Sequence, residues 1–159
     1  ITGAAGAYLF GKISNKRSSK ESLLYSLVIL IVAVVGLYFF KSMVAFYIIG
    51  GIAGFSLSGV QAVSRTMVSQ LTPHSKTAEF YGFLSVAGRT STFIGPVVYG
   101  SVYALMMNRW IKAGLDEAAA KAHGVYWALG AVLAFLVIGL LLLQIVRRVT
   151  HKEPLKFED

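Results

Sequence analysis

The sequence predicts an all-α protein, a polytopic bundle of transmembrane helices, and three observations carry that reading. Four stretches without a formal charge, residues 22–40, 42–64, 90–108 and 124–146, are each long enough to cross a bilayer. As helices they span roughly 28–35 Å, against a hydrocarbon core of roughly 30 Å. Hydrophobic residues make up 56% of the 159 and charged residues only 14%. A soluble domain of that size needs more polar surface, and its helices carry a polar face. Finally, the basic residues cluster in alternate connections. Inside lipid every backbone N–H and C=O needs an internal partner, and helices supply one.

The elements follow in order. Residues 1–11 (ITGAAGAYLFG) are apolar and rich in small side chains. Lacking a basic lead, they do not resemble a signal peptide; they read as the cytoplasmic end of a helix whose beginning lies upstream, in a longer protein. Residues 12–21 (KISNKRSSKE) form a polar turn, the helix over 22–40 runs outward, Lys41 marks a tight external turn, and 42–64 returns. At Thr72-Pro73-His74-Ser75 the chain breaks, because Pro73 disfavours a helical residue before it. The next helix is expected to begin near Phe80, giving a span over 80–108. Residues 108–123 are expected to form the longest external connection. Within it Asp116 caps a helix start at EAAAK, and Glu117 pairs with Lys121 four residues on. The span over 124–146 runs inward, and 147–159 form a cytoplasmic tail.

The formal net charge is +8, yet its distribution argues for a lipid bilayer as partner and against nucleic acid. Lys12, Lys16, Arg17 and Lys20 fall in the first connection, Arg65 and Lys76 in the third, and Arg147, Arg148, Lys152 and Lys156 in the tail. The alternate connections hold only Lys41, then Arg109, Lys112 and Lys121 diluted by Asp116 and Glu117. That is the positive-inside pattern of an integral cell-membrane protein with its C-terminus in the cytoplasm. With no cysteine, disulfides, thiolate metal sites and cysteine nucleophiles are excluded. His74, His123 and His151 are far apart, so no metal site and no cofactor are expected. Catalytic signatures are missing too: the nearest pattern, GFSLSG over 54–59, has no histidine and acid to serve it.

The spans differ in polarity. Those over 22–40 and 124–146 hold few polar atoms and read as lipid-facing. Those over 42–64 and 80–108 hold most of the glycines and hydroxyls, and read as facing protein or a water-filled cavity. On the second span Gly54, Ser58, Gln61 and Arg65 share one helical face, extended by Gly50. Two readings fit that stripe: a tight helix contact with Arg65 reaching the headgroups, or a gate in which Gln61 and Arg65 bind an anionic group. Arg89 falls about nine residues into the next span, where a lipid-facing guanidinium costs about 2.5–3.5 kcal/mol on insertion scales. It is expected to face a cavity or a partner, on the face that also carries Gly82, Ser85, Thr92 and Pro96. Pro96 lacks an N–H for the Thr92 carbonyl, so Gly95 and Pro96 are expected to form a kink or hinge. All seven acids lie outside the spans.

The stretch GKISNKRSSK, 11–20, resembles the second copy of the cytoplasmic signature GxLxDRxGRR of major facilitator superfamily transporters, between helices 8 and 9. Gly11 and Lys20 match, Lys16 stands for arginine, and Asn15 replaces the acid. Residues 59–100 are similar to the helix 10–11 region of the vacuolar-effluxer-like branch, related to autophagy-linked amino-acid effluxers. There a GVQA-S-R element, an EF-GF element and a basic residue before a GP pair recur in this order. Here they are Gly59–Ala62 with Ser64 and Arg65, Glu79-Phe80 with Gly82-Phe83, then Arg89 with Gly95-Pro96. The resemblance implies the C-terminal part of a major facilitator fold: the end of helix 8 and four full helices, completed by an N-terminal half. It implies a secondary transporter of a small-molecule substrate, amino acids among the candidates, working by alternating access and not an enzyme. Arg89, Gln61, Arg65, Ser58, Ser85 and Thr92 are then the candidate cavity or gate residues, with Gly50, Gly54, Gly95 and Pro96 for packing and hinging. The rival from another class is a small non-transporting membrane subunit that oligomerises through Gly50, Gly54 and Ser58.

Overall fold

A computed structural model describes residues 2–40 and 42–146. The described residues are all-α: α1 (Thr2–Lys16), α2 (Ser19–Phe39), α3 (Met43–Leu71), a 3-10 turn (His74–Lys76), α4 (Thr77–Lys112) and α5 (Glu117–Ile145). By length and composition α2, α3 and α5 are apolar enough to cross a membrane. With 36 residues α4 is long enough, but Arg89, Thr90, Ser91 and Thr92 dilute its apolar content. Lys41 and the whole tail, with Arg147, Arg148, His151, Lys152 and Lys156, lie outside the described residues.

Helix ends are legible where the sequence is punctuated. Thr72 leaves α3 in an extended conformation and Pro73 opens the 3-10 turn, as its ring demands. The expected long connection over 108–123 is in fact four residues. Gly114, at φ +90°, reverses the chain. Leu115 N–H donates to the Trp110 carbonyl at 3.1 Å, and Gly114 N–H to that of Ile111 at 3.0 Å. These are the two bonds of a Schellman end, which needs a residue with positive φ and so favours glycine. Asp116 then accepts the first helical bond of α5, from Ala120 at 3.0 Å. Lys121 and Glu117 pair at 2.6 Å, as expected from their spacing. Hydrogen bonding and then the charge of Lys121 hold the Glu117 carboxyl below its usual range, so the pair persists through that range and is lost only as pH falls further, through the lowered value. Elsewhere the helices outrun the charge-free stretches: α2 starts at Ser19, α3 continues past Arg65 to Leu71, and α4 starts at Thr77. A charge ends an apolar run without ending a helix, whose i→i−4 bonds are indifferent to it.

The described residues divide into two compact units, 2–40 and 42–82 with 137–146, and 83–136. In the first, α1, α2 and α3 pack on one another around Phe10, Leu23 and Val63, joined by Leu143 from the end of α5. α1 reaches α3 through small residues. A Cβ at Gly6 would strike the backbone carbonyl of Phe55, and one at Gly59 would strike the Phe10 ring. Phe10 and Phe55 close the contact ring to ring, 5.4 Å between centroids. Close approach through small residues is how helices associate in lipid, where burial of apolar surface supplies little drive.

The same unit holds a polar network at one end. Ser14, Ser18, Ser19, Ser22 and Ser26 are all buried. Ser14 and Ser19 share a hydroxyl bond of 2.7 Å, and the Ser19 hydroxyl donates to Gln70 Oε1 at 2.6 Å. Ser22 donates to the Phe10 carbonyl at 2.6 Å, and Ser18 caps α2 by accepting from the Glu21 N–H. Lys20 Nζ donates to the carbonyls of Gln144 and Val146, both at 2.7 Å, neutralising the C-terminal end of α5. The ends of α1, α3 and α5 therefore meet the start of α2. Removing the Ser19 hydroxyl leaves Ser14 and Gln70 short of a partner, so Ser19→Ala should cost about 1–3 kcal/mol. Thermal unfolding in detergent should show the lower midpoint, with helix content unchanged before the transition.

Candidate functional site

The stripe predicted on α3 divides in two. Gly54 faces Thr2 and Ser58 faces Gly3 of α1, where a Cβ would lie 3.7 Å from Thr2 Oγ1 and 2.7 Å from Ser58 Oγ respectively. The Ser58 hydroxyl donates to the Gly54 carbonyl at 3.0 Å. These two residues are helix packing. Gln61 and Arg65, farther along α3, are exposed, and Gly50 has open space around it. The Arg65 carbonyl accepts from Tyr81 Oη at 3.3 Å, tying the start of α4 to α3.

On α4 the candidates lie in the second unit. Arg89, Ser85, Thr92, Gly95 and Pro96 are all exposed, and α4 has no buried residue. Its polar face is open: of the two roles that polarity predicts, toward protein or toward a water-filled cavity, no contact with protein is seen among the described residues. The helix runs unbroken through Pro96. Thr90, Ser91 and Thr92 donate to the carbonyls of Val86, Ala87 and Gly88 at 2.9, 2.8 and 2.9 Å. Each hydroxyl thus serves the carbonyl four residues back, and none serves the Thr92 carbonyl that Pro96 leaves without its helical donor.

The packing of α5 tells which way Arg89 points. Ser91, Ile94, Gly95 and Val98 of α4, with Val132, Phe135 and Leu136 of α5, line an apolar groove of about 310 Å³. At about 100° per residue, the groove side of α4 lies roughly half a turn from the face carrying Ser85, Arg89, Thr92 and Pro96. Arg89 therefore faces away from α5, and among the described residues no carboxylate pairs with it. Further along, the two helices close on Gly124, where a Cβ would sit 2.9 Å from the Tyr103 ring. Ala120 and Ala128, one turn to either side of Gly124, are fully buried. This small-residue seam escapes a reading of 124–146 as a lipid-facing span; its four-residue spacing was the available signal.

Gln61 and Arg65 thus belong to one unit and Ser85, Arg89 and Thr92 to the other, each with its own local surroundings. Among the described residues no three of His, Asp and Glu gather as metal ligands. Sequence reasoning missed the Ser14–Ser19–Gln70 network and the Lys20 cap. The hint was the density of hydroxyls around the first polar turn, at Ser14, Ser18, Ser19, Ser22 and Ser26.

Long apolar helices and glycine-mediated helix contacts define a polytopic helical membrane protein. Residues 1–112, from α1 to the end of α4, match the family described as vacuole effluxer Atg22 like, and the chain belongs to that family. It is 28% identical over 98 residues to the uncharacterized MFS-type transporter YxiO of Bacillus subtilis, covering 62% of this chain and 23% of that protein. It is 31% identical over 94 residues to autophagy-related protein 22 of Kluyveromyces lactis, covering 59% and 16%. To the MFS-type efflux pump MMF1 of Pseudozyma antarctica it is 27% identical over 103 residues, covering 65% and 19%. The chain spans about a fifth of the length of these relatives. No solved structure matches it.

Proposed function

We propose that this chain forms part of the solute pathway of a secondary transporter, in which two helical halves rock about a site near the bilayer midplane. One observation carries the reading. Arg89 sits within the 36-residue α4, which this reading sets across the bilayer, and is exposed on the side turned away from α5. A guanidinium at that depth is costly against lipid and is well accommodated by a polar cavity. Arg89 then attracts an anionic group of the solute, such as the carboxylate of an amino acid, with Ser85 and Thr92 beside it on the same face. Gln61 and Arg65 act as gate residues toward the cytoplasm, and Gly95-Pro96 let α4 bend between states. The C-terminus is cytoplasmic in this arrangement, and an N-terminal set of helices completes the pathway. The rival reading of an oligomerising scaffold needs the Gly50/Gly54/Ser58 face free, yet α1 covers Gly54 and Ser58.

The test is counterflow in proteoliposomes containing the full-length protein. Vesicles loaded with a mixture of unlabelled amino acids should accumulate labelled amino acid transiently, and empty-vesicle controls should not. A protein that is monodisperse and correctly inserted but gives no counterflow with any amino acid removes that substrate class. Absence of counterflow across sugars, nucleosides, organic acids and amines as well removes the transporter reading.

A further inference from the structure

A second cavity lies at the α4–α5 connection, away from the residues of the proposed pathway. It measures about 500 Å³ and is lined by Met106, Arg109, Trp110, Ala113 and Trp127. The chain has only two tryptophans, and both line this one space. Trp110 is held as a wall by His123, stacked on it with 4.6 Å between ring centroids and 24° between planes. The Schellman end of α4 fixes the same residue from the backbone side, since the Trp110 carbonyl accepts from Leu115 N–H.

We infer that this cavity binds a phospholipid with an anionic headgroup: Arg109 takes the headgroup and the two indoles and Met106 take the glycerol and upper acyl chain. The lining is apolar apart from one cation, which suits a ligand with a greasy body and a single anionic end. Arg109 is exposed, and among the described residues no carboxylate pairs with it; Glu117 is already held by Lys121. Lys112, one turn on, adds to the positive rim. The last carbonyls of a helix repel anions, but here Leu115 and Gly114 occupy those of Trp110 and Ile111. Indole rings also favour the boundary between hydrocarbon and headgroups, where α4 ends. The volume falls in the range of small-ligand sites, roughly 300–1,000 Å³. The inference needs a bilayer around α4 and α5 and is independent of what the protein transports.

The experiment uses the full-length protein in nanodiscs containing phospholipids with a diazirine high on one acyl chain, followed by peptide mapping of the adducts. Photoactivatable phosphatidylglycerol should label residues 106–127 well above the remaining lipid-exposed peptides, and phosphatidylcholine should label them far less. Arg109→Gln should lower that labelling about tenfold, as loss of a charged hydrogen bond does, while Arg109→Lys keeps most of it. Arg109 is exposed, so both variants should elute as the parent does on size exclusion. Equal labelling by the two lipids, or labelling unchanged in Arg109→Gln, overturns the inference. Competition by millimolar glycerol phosphate would show a site for soluble phosphate and overturn the lipid assignment.

Discussion

Alanine at Arg89 should reduce solute flux ten- to a hundredfold while leaving the protein in the membrane at normal abundance. The flux loss is that of one hydrogen bond to a charged group, about 1.5–3 kcal/mol. Normal abundance follows from the opposite sign of the insertion term: removing a guanidinium makes α4 easier to place in lipid, by about 2.5–3.5 kcal/mol. Stability changes little, because Arg89 is exposed and no described carboxylate depends on it. Arg89→Lys separates charge from geometry. If a planar fork clamps a carboxylate, lysine recovers only part of the flux; if long-range attraction suffices, it recovers most. Initial rates in proteoliposomes, normalised to inserted protein, read both. Parental rates in Arg89→Ala would remove this residue from the pathway.

Valine at Gly6 should destabilise the first unit by about 3 kcal/mol or more, at the upper end of what overpacking costs. The reason is the identity of the obstructing atom. A Cβ at Gly6 meets the carbonyl of Phe55, a backbone group inside α3 that cannot turn aside as a side chain would. Relief requires α1 to move off α3, which also separates Phe10 from Gly59 and opens the core around Val63. Gly11→Ala is the internal control, since a Cβ there meets nothing within 4 Å. It should be neutral or slightly stabilising, because alanine is the better helix former by about 1 kcal/mol. Thermal unfolding in detergent should order the proteins Gly11→Ala, parent, Gly6→Val. A Gly6→Val protein as stable as the parent would mean that α1 does not approach α3 so closely.

Much of the fold was legible from particular residues. Pro73 announced the break after α3, and Glu117 with Lys121 the first turn of α5. Gly114 went unread as a helix end, so a four-residue turn was expected to be a long connection. The ends marked only by charge, at Arg65 and Arg109, were misjudged because a helix leaves the apolar layer without unwinding. Of the candidate site, the residues were nameable from the sequence, but their faces were not. Gly54 and Ser58 read as one stripe with Gln61 and Arg65, yet α1 covers the first pair and leaves the second exposed.

By itself the sequence determined that this is a helical membrane protein, because charge-free runs of bilayer length have no other stable use, and its motifs marked the transporter family. Only the tertiary structure decided which side of each helix meets protein. In water a buried face advertises itself as the apolar one. In lipid both faces are apolar, and neither α4 nor α5 carries a marked one-sided stripe. The contact is then selected by shape, at Gly6, Gly59 and Gly124, and by hydroxyl bonds such as those of Ser14 and Ser19, which exist only once the helices are side by side.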